Sequence, residues 1–86
     1  MARYSIRIKK TARKELVAIG TKADRRKITK RILSLADDPR PAGSMKLSGR
    51  DRYRLRQGNY RVLYTVEDRV LVIQVIKIGH RKNVYR

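Results

Sequence analysis

The chain has 86 residues, 24 of them Lys or Arg and 7 Asp or Glu, for a formal net charge of +17. A chain this short buries only about 60% of the surface its unfolded form exposes, so one domain spanning residues 1–86 is expected. Hydrophobic residues make up 41% of it, enough for a core, and the lack of cysteine excludes a disulfide scaffold and thiolate metal sites and fits a reducing cytoplasm. The N-terminal run Met1 to Ile6 has the look of no signal peptide, and nothing approaches the roughly 18 apolar residues of a membrane span.

In chain order, Tyr4-Ser5-Ile6-Arg7-Ile8 alternates and predicts a strand with one buried face. Thr11 is a candidate helix cap. Ala12, Leu16 and Ile19 then fall on one face of a short helix that Gly20 ends. Thr21 with Asp24 resembles a capping box, and Ile28, Ile32, Leu35 and Ala36 form a second apolar stripe. Most of Lys22, Arg25, Arg26, Lys30 and Arg31 lie off that stripe, as an exposed helix face. The run Asp37-Asp38-Pro39-Arg40-Pro41 stops the second helix, because proline cannot continue it. Two helices this close in sequence imply an antiparallel helical hairpin.

The second half changes period. Tyr53-Arg54-Leu55-Arg56 alternates, Gln57-Gly58-Asn59 signals a hairpin turn, and Tyr60 to Val66 alternates again. A turn at Glu67-Asp68-Arg69 leads to Val70 through Ile78, a run apolar on both faces and so expected to be a central strand with helices on one side. Strand, helical hairpin and a three-stranded antiparallel meander make the fold α+β.

A charge of +17 on a small body costs self-repulsion and calls for an anionic partner. Nucleic acid, an anionic membrane surface and an acidic protein all qualify. A membrane-surface protein concentrates its charge on one amphipathic helix opposite large apolar residues. Here the charge runs along the whole chain and Trp and Phe are absent, which favours nucleic acid. An acidic protein could mask the same surface.

The densest basic region is Lys46, Arg50, Arg52, Arg54, Arg56 and Arg61. Arg54 and Arg56 are two apart on a strand and share a face, while Tyr53 and Leu55 take the other. Arg61 folds back beside them across the turn. Beyond Gly79, taken as a strand breaker, follow His80, Arg81, Lys82, Tyr85 and Arg86. The expectation is one concave patch of Arg54, Arg56, Arg61 and Arg81 with His80 and Tyr85 at its rim. Lys46, Arg50, Arg52, Lys82 and Arg86 would contact RNA around it.

Arginine suits phosphate because its fork of donors is planar and always charged. It can stabilise a phosphorane-like transition state but cannot readily accept a proton. His80 and Tyr85 are the candidates for that step, and cationic neighbours would lower the pKa of each. No spacing suggests a metal site, so no cofactor is expected, and RNA cleavage would use the RNA's own 2′-hydroxyl. Taken singly, Arg54 and Arg56 also fit a solvated strand face, His80 a surface histidine, and Tyr53, Tyr60 and Tyr64 core packing.

Lys46-Leu47-Ser48-Gly49, Tyr53-Arg54-Leu55-Arg56, Gly58-Asn59-Tyr60-Arg61-Val62-Leu63-Tyr64 and Ile78-Gly79-His80-Arg81-Lys82-Asn83-Val84-Tyr85 together resemble the RelE/ParE family of type II toxins, and most of all its RelE branch. Ala12, Lys14-Glu15-Leu16 and the Asp38-Pro39-Arg40-Pro41 break fit as well, so the likeness covers nearly the whole chain. The resemblance implies a RelE-like, microbial-RNase-like fold and a ribosome-dependent endoribonuclease that cuts mRNA in the ribosomal A site, leaving a 2′,3′-cyclic phosphate and a 5′-hydroxyl. It further implies a cognate antitoxin, and operator DNA as a partner only of the toxin–antitoxin complex. By position, the family's functional residues fall on Arg54, Arg56, Arg61, Arg81 and Tyr85. Arg54 and Arg56 replace the lysines of the familiar RelE pattern, which leaves proton abstraction to Tyr85 or His80. The ParE-like alternative implies toxicity through gyrase without nuclease activity, and a plain nucleic-acid-binding module would have neither.

Overall fold

The computed structural model describes residues 3–47 and 51–80. Its elements are β1 (Ser5–Ile8), α1 (Lys10–Val17), α2 (Lys22–Ser34), β2 (Ser44–Lys46), β3 (Arg52–Gln57), β4 (Tyr60–Glu67) and β5 (Val72–His80). The described strands form one five-stranded sheet in the order β1-β5-β4-β3-β2. The expected meander is β3, β4 and β5, antiparallel throughout. β1 pairs parallel to β5, and the two helices supply the crossover between distant strands that a parallel pair requires.

The helices cover one face. Ala12 of α1 and Ile28 and Ile32 of α2 are buried with Tyr53, Leu55, Val62, Tyr64, Val66, Ile73, Val75 and Ile78 of the sheet. Each of the larger side chains contributes about 1.5–3 kcal/mol by leaving water. Tyr53 and Tyr64 stack with ring centroids 5.7 Å apart, and the Tyr64 hydroxyl donates to the Pro39 carbonyl at 2.8 Å. These tyrosines are core, as their strand parity indicates.

Local chemistry sets the ends of the elements. At the start of α2, Thr21 Oγ1 accepts the Asp24 N–H at 3.2 Å, the first half of the expected capping box. α1 instead begins at Lys10, one residue before Thr11, with Lys9 in the cap position and no side-chain cap. β1 runs directly into α1, and the Lys9 N–H is held by the Val75 carbonyl at 2.9 Å. At the β3–β4 hairpin, Gly58 takes φ +58°. Only this first of the two turn residues has positive φ, the type II′ pattern in which glycine is favoured.

Three boundaries differ from the sequence reading. β2 is an added edge strand, paired to β3 from Ser44 opposite Leu55 to Lys46 opposite Tyr53. It is three residues long and carries no alternating run that would announce it. Val70 and Leu71 belong to the β4–β5 turn, where Leu71 takes φ +55°, so β5 starts at Val72. Gly79 does not break β5. It lies opposite Arg61, with β4 supplying a pairing partner, and the strand continues to His80.

The end of β5 extends beyond β1, whose pairing stops at Ile8 opposite Val75, and among the described residues no strand continues along that edge. Glu15 of α1 fills that gap: its carboxylate accepts the Ile78 N–H at 3.1 Å and pairs with Lys77 Nζ at 3.0 Å. At the far end, Arg40 forms a two-pronged contact with Asp68, donates to the Tyr53 hydroxyl at 2.8 Å and lies over the Tyr53 ring. The Tyr4 hydroxyl also donates to Asp68. Those bonds, Arg40 first, hold the Asp68 carboxyl below its usual range, and the Asp68 carboxylate pushes the Tyr4 phenol up.

Candidate nucleic-acid interface

The face of the sheet opposite α1 and α2 carries the arginines. Along β3, Tyr53 and Leu55 point into the core, so Arg52, Arg54 and Arg56 take the opposite side. Cross-strand register extends that face. Arg56 stands directly opposite Arg61, and Arg54 lies between Met45 on β2 and Leu63 on β4. A third row runs from Arg52 through Thr65 and Gln74 to Arg7 on β1.

Like charges directly opposite each other on a sheet repel, so the Arg56–Arg61 pair concentrates positive charge at one point of this face. Arg54, two residues along, adds a third guanidinium to the same side. Its Nη2 lies 3.4 Å from Met45 Sδ. The geometry is a cationic shelf suited to phosphate oxygens.

Two expected members leave that face. Lys46 lies opposite Tyr53 and so on the helix side, where it is 3.9 Å from Asp51. His80 lies opposite Tyr60, and the two rings meet edge to face with centroids 5.8 Å apart. Tyr60 packs against the core, so His80 is on the helix side rather than at the rim of the arginines. The reason is parity: with Gly79 inside β5, His80 follows Ile78 onto the core-facing side. Arg52 stays on the arginine face but toward its other end. Arg50, Arg81, Lys82, Tyr85 and Arg86 lie outside the described residues.

A second surface lies on the helix layer. Leu16 and Val17 of α1 and Leu33 of α2 floor a groove of about 550 Å³, edged by Lys22, Arg25 and Lys30. Val17 and Leu33 are 69% and 56% exposed. The Arg25 guanidinium donates to the Ile19 carbonyl and so ties the loop between the helices. The sequence signal for this groove was there: Val17 and Leu33 are large apolar residues that fall off both core stripes. Among the described residues no helix is long and apolar enough to cross a membrane, and no three His, Asp or Glu side chains gather as a metal site would need.

A family model described as the ParE toxin of type II toxin–antitoxin systems matches residues 6–85. The chain belongs to the RelE/ParE family of type II toxins. No curated protein sequence matches it significantly. Among solved structures it is similar to RelE in an archaeal RelE–RelB complex from Pyrococcus horikoshii OT3, with 32% identity, 96% of this chain and 99% of that one covered, and TM-score 0.84. It is also similar to a double-arginine-to-alanine mutant of Escherichia coli RelE in the free state, with 31% identity, coverage of 99% and 92%, and TM-score 0.76. The RelBE2 complex of Mycobacterium tuberculosis, at 22% identity, coverage of 92% and 99% and TM-score 0.78, shares the fold. This RelE/ParE protein is therefore a toxin of a type II toxin–antitoxin system with a RelE-like fold.

Proposed function

We propose that this toxin is a ribosome-dependent endoribonuclease that cuts mRNA in the A site without a metal or other cofactor. The observation that carries the reading is the set of three arginines on one sheet face, with Arg56 directly across from Arg61. The 2′-hydroxyl of the RNA attacks the adjacent phosphorus, the 5′-oxygen leaves with a proton, and the products are a 2′,3′-cyclic phosphate and a 5′-hydroxyl. Arg54, Arg56, Arg61 and Arg81 stabilise the charge that grows on the phosphorane oxygens. Arginine cannot readily take the 2′-hydroxyl proton. Because His80 sits against Tyr60 on the other side of the sheet, Tyr85 is assigned that role. Arg52, Arg50, Lys82 and Arg86 add backbone contacts, and the site of action is the cytoplasm, where ribosomes translate.

The partner that holds the toxin in check is an antitoxin with an acidic amphipathic segment. Its apolar side suits Val17 and Leu33 and its carboxylates suit Lys22, Arg25 and Lys30. The similar RelE from Pyrococcus horikoshii OT3 is in complex with RelB. Operator DNA is bound only by the toxin–antitoxin pair, whose genes are neighbours.

The experiment is induced expression with mapping of mRNA 5′ ends, with and without translation of the message. Cleavage should require translation, and Arg81→Ala should lose about 10²-fold or more, as for removal of a transition-state charge donor. Full cleavage by that variant would refute the assignment. The match to the ParE model supports a second reading, gyrase inhibition without nuclease activity. Inhibition of supercoiling by the purified protein, with intact mRNA in the expression test, would establish it instead.

A further inference from the structure

The arginines of the sheet face stand in two different settings. Arg56 faces another arginine, whereas Arg54 sits in a cross-strand row with Met45 on one side and Leu63 on the other. Met45 is 54% exposed, on an edge strand whose other two residues are Ser44 and Lys46. Those two take the register positions opposite Leu55 and Tyr53, on the core side, so the thioether is the one β2 side chain directed to the arginine face. Its sulfur meets the Arg54 guanidinium at 3.4 Å.

We propose that Met45 and Arg54 together form a shelf for the nucleobase next to the phosphate held by Arg56 and Arg61. The inference rests on the RNA reading above and adds, to the N–H donors with which Arg54 serves the phosphorane oxygens there, a use for the flat face of its guanidinium. A nucleotide joins an anion to a flat, largely apolar ring. The face offers a paired-arginine site and, two residues along β3 or about 7 Å away, a guanidinium in contact with the Met45 thioether, with Leu63 at the opposite register position. Guanidinium planes take RNA bases by stacking, and a thioether is soft and adaptable enough to lie against a π-face. Stacking reads ring area rather than base edges, so the contact is tolerant of sequence and favours purines for their larger ring.

The test is binding of full-length toxin to three fluorescent 12-nucleotide single strands: 2′-O-methyl polypurine, 2′-O-methyl polypyrimidine and an abasic backbone. Methylation removes the attacking hydroxyl, so binding is read without cleavage. Met45→Ala should weaken the purine strand about 5- to 10-fold, the lower end of the loss for one stacked base. It should leave the abasic strand and the salt dependence unchanged, and Met45→Leu should bind within twofold of the native protein. Met45→Gln, similar in length, should reproduce the purine-specific loss if alanine loosens the edge strand. Arg56→Gln should weaken all three strands alike and reduce the log–log salt slope by about 0.7. Equal loss on purine and abasic strands with Met45→Ala, or no loss on either, overturns the shelf while the Arg56→Gln result still supports the RNA reading. Failure of the native toxin to bind any strand overturns the shelf as a site on the toxin itself, whereas the ribosome-dependent reading falls only with the cleavage experiment above.

Discussion

Arg56→Gln should make the protein more stable and its nuclease inactive. Arg56 and Arg61 are a cross-strand pair of like charge. Two unit charges about 6 Å apart in water repel by about 0.7 kcal/mol, within the range of about 0.2–1 kcal/mol for directly opposed side chains. Gln keeps much of the stem and the polarity, so the change removes mainly the repulsion. In a domain of this size, 0.7 kcal/mol corresponds to a rise in Tm of about 3–6 °C. The effect should be clear at 10 mM salt, where the screening length is about 30 Å, and shrink toward zero at 1 M, where it is about 3 Å. Thermal unfolding followed by circular dichroism at both salts measures it, alongside mRNA cleavage by the same variant, which should fall sharply. A variant that is no more stable than the native protein at low salt would refute the idea that the mutual repulsion of this pair outweighs what Arg56 contributes to the fold.

Other expectations concern the supports of the fold and the second surface. Glu15→Ala should cost about 1–3 kcal/mol in urea unfolding, because the Ile78 N–H at the edge of β5 loses its acceptor, and Glu15→Gln should recover most of that. Asp68 has its carboxyl pKa lowered in the fold by Arg40, so the unfolded chain binds the proton more readily. That contribution is present above the unfolded carboxylate pKa and is lost as pH falls through the folded one. Asp68→Asn should therefore flatten the acid side of the Tm–pH profile, and an unchanged profile would count against the Arg40–Asp68 contact. Leu33→Asp should weaken the complex with the cognate antitoxin at least tenfold by titration calorimetry, since it puts a carboxylate on the apolar floor of the groove. Undiminished affinity would move the antitoxin elsewhere.

The sequence by itself determined the order of the main elements and which side of each faces the core. The period-2 run Tyr53-Arg54-Leu55-Arg56 fixes which side chains the sheet buries, and the stripe Ile28-Ile32-Leu35 fixes the inner side of α2. It also showed that the arginines share one face, because parity along a strand and a two-residue turn at Gly58-Asn59 leave Arg56 and Arg61 side by side. Pairings between distant segments were decided only by the tertiary structure. β2 exists because β3 offers it an edge, and Arg54 gains Met45 as a neighbour solely through that pairing. His80 was placed by whether β5 stops at Gly79 or continues: glycine carries no side-chain preference that could decide it, but the ladder with β4 does. One residue of strand length was enough to move the histidine to the other side of the sheet.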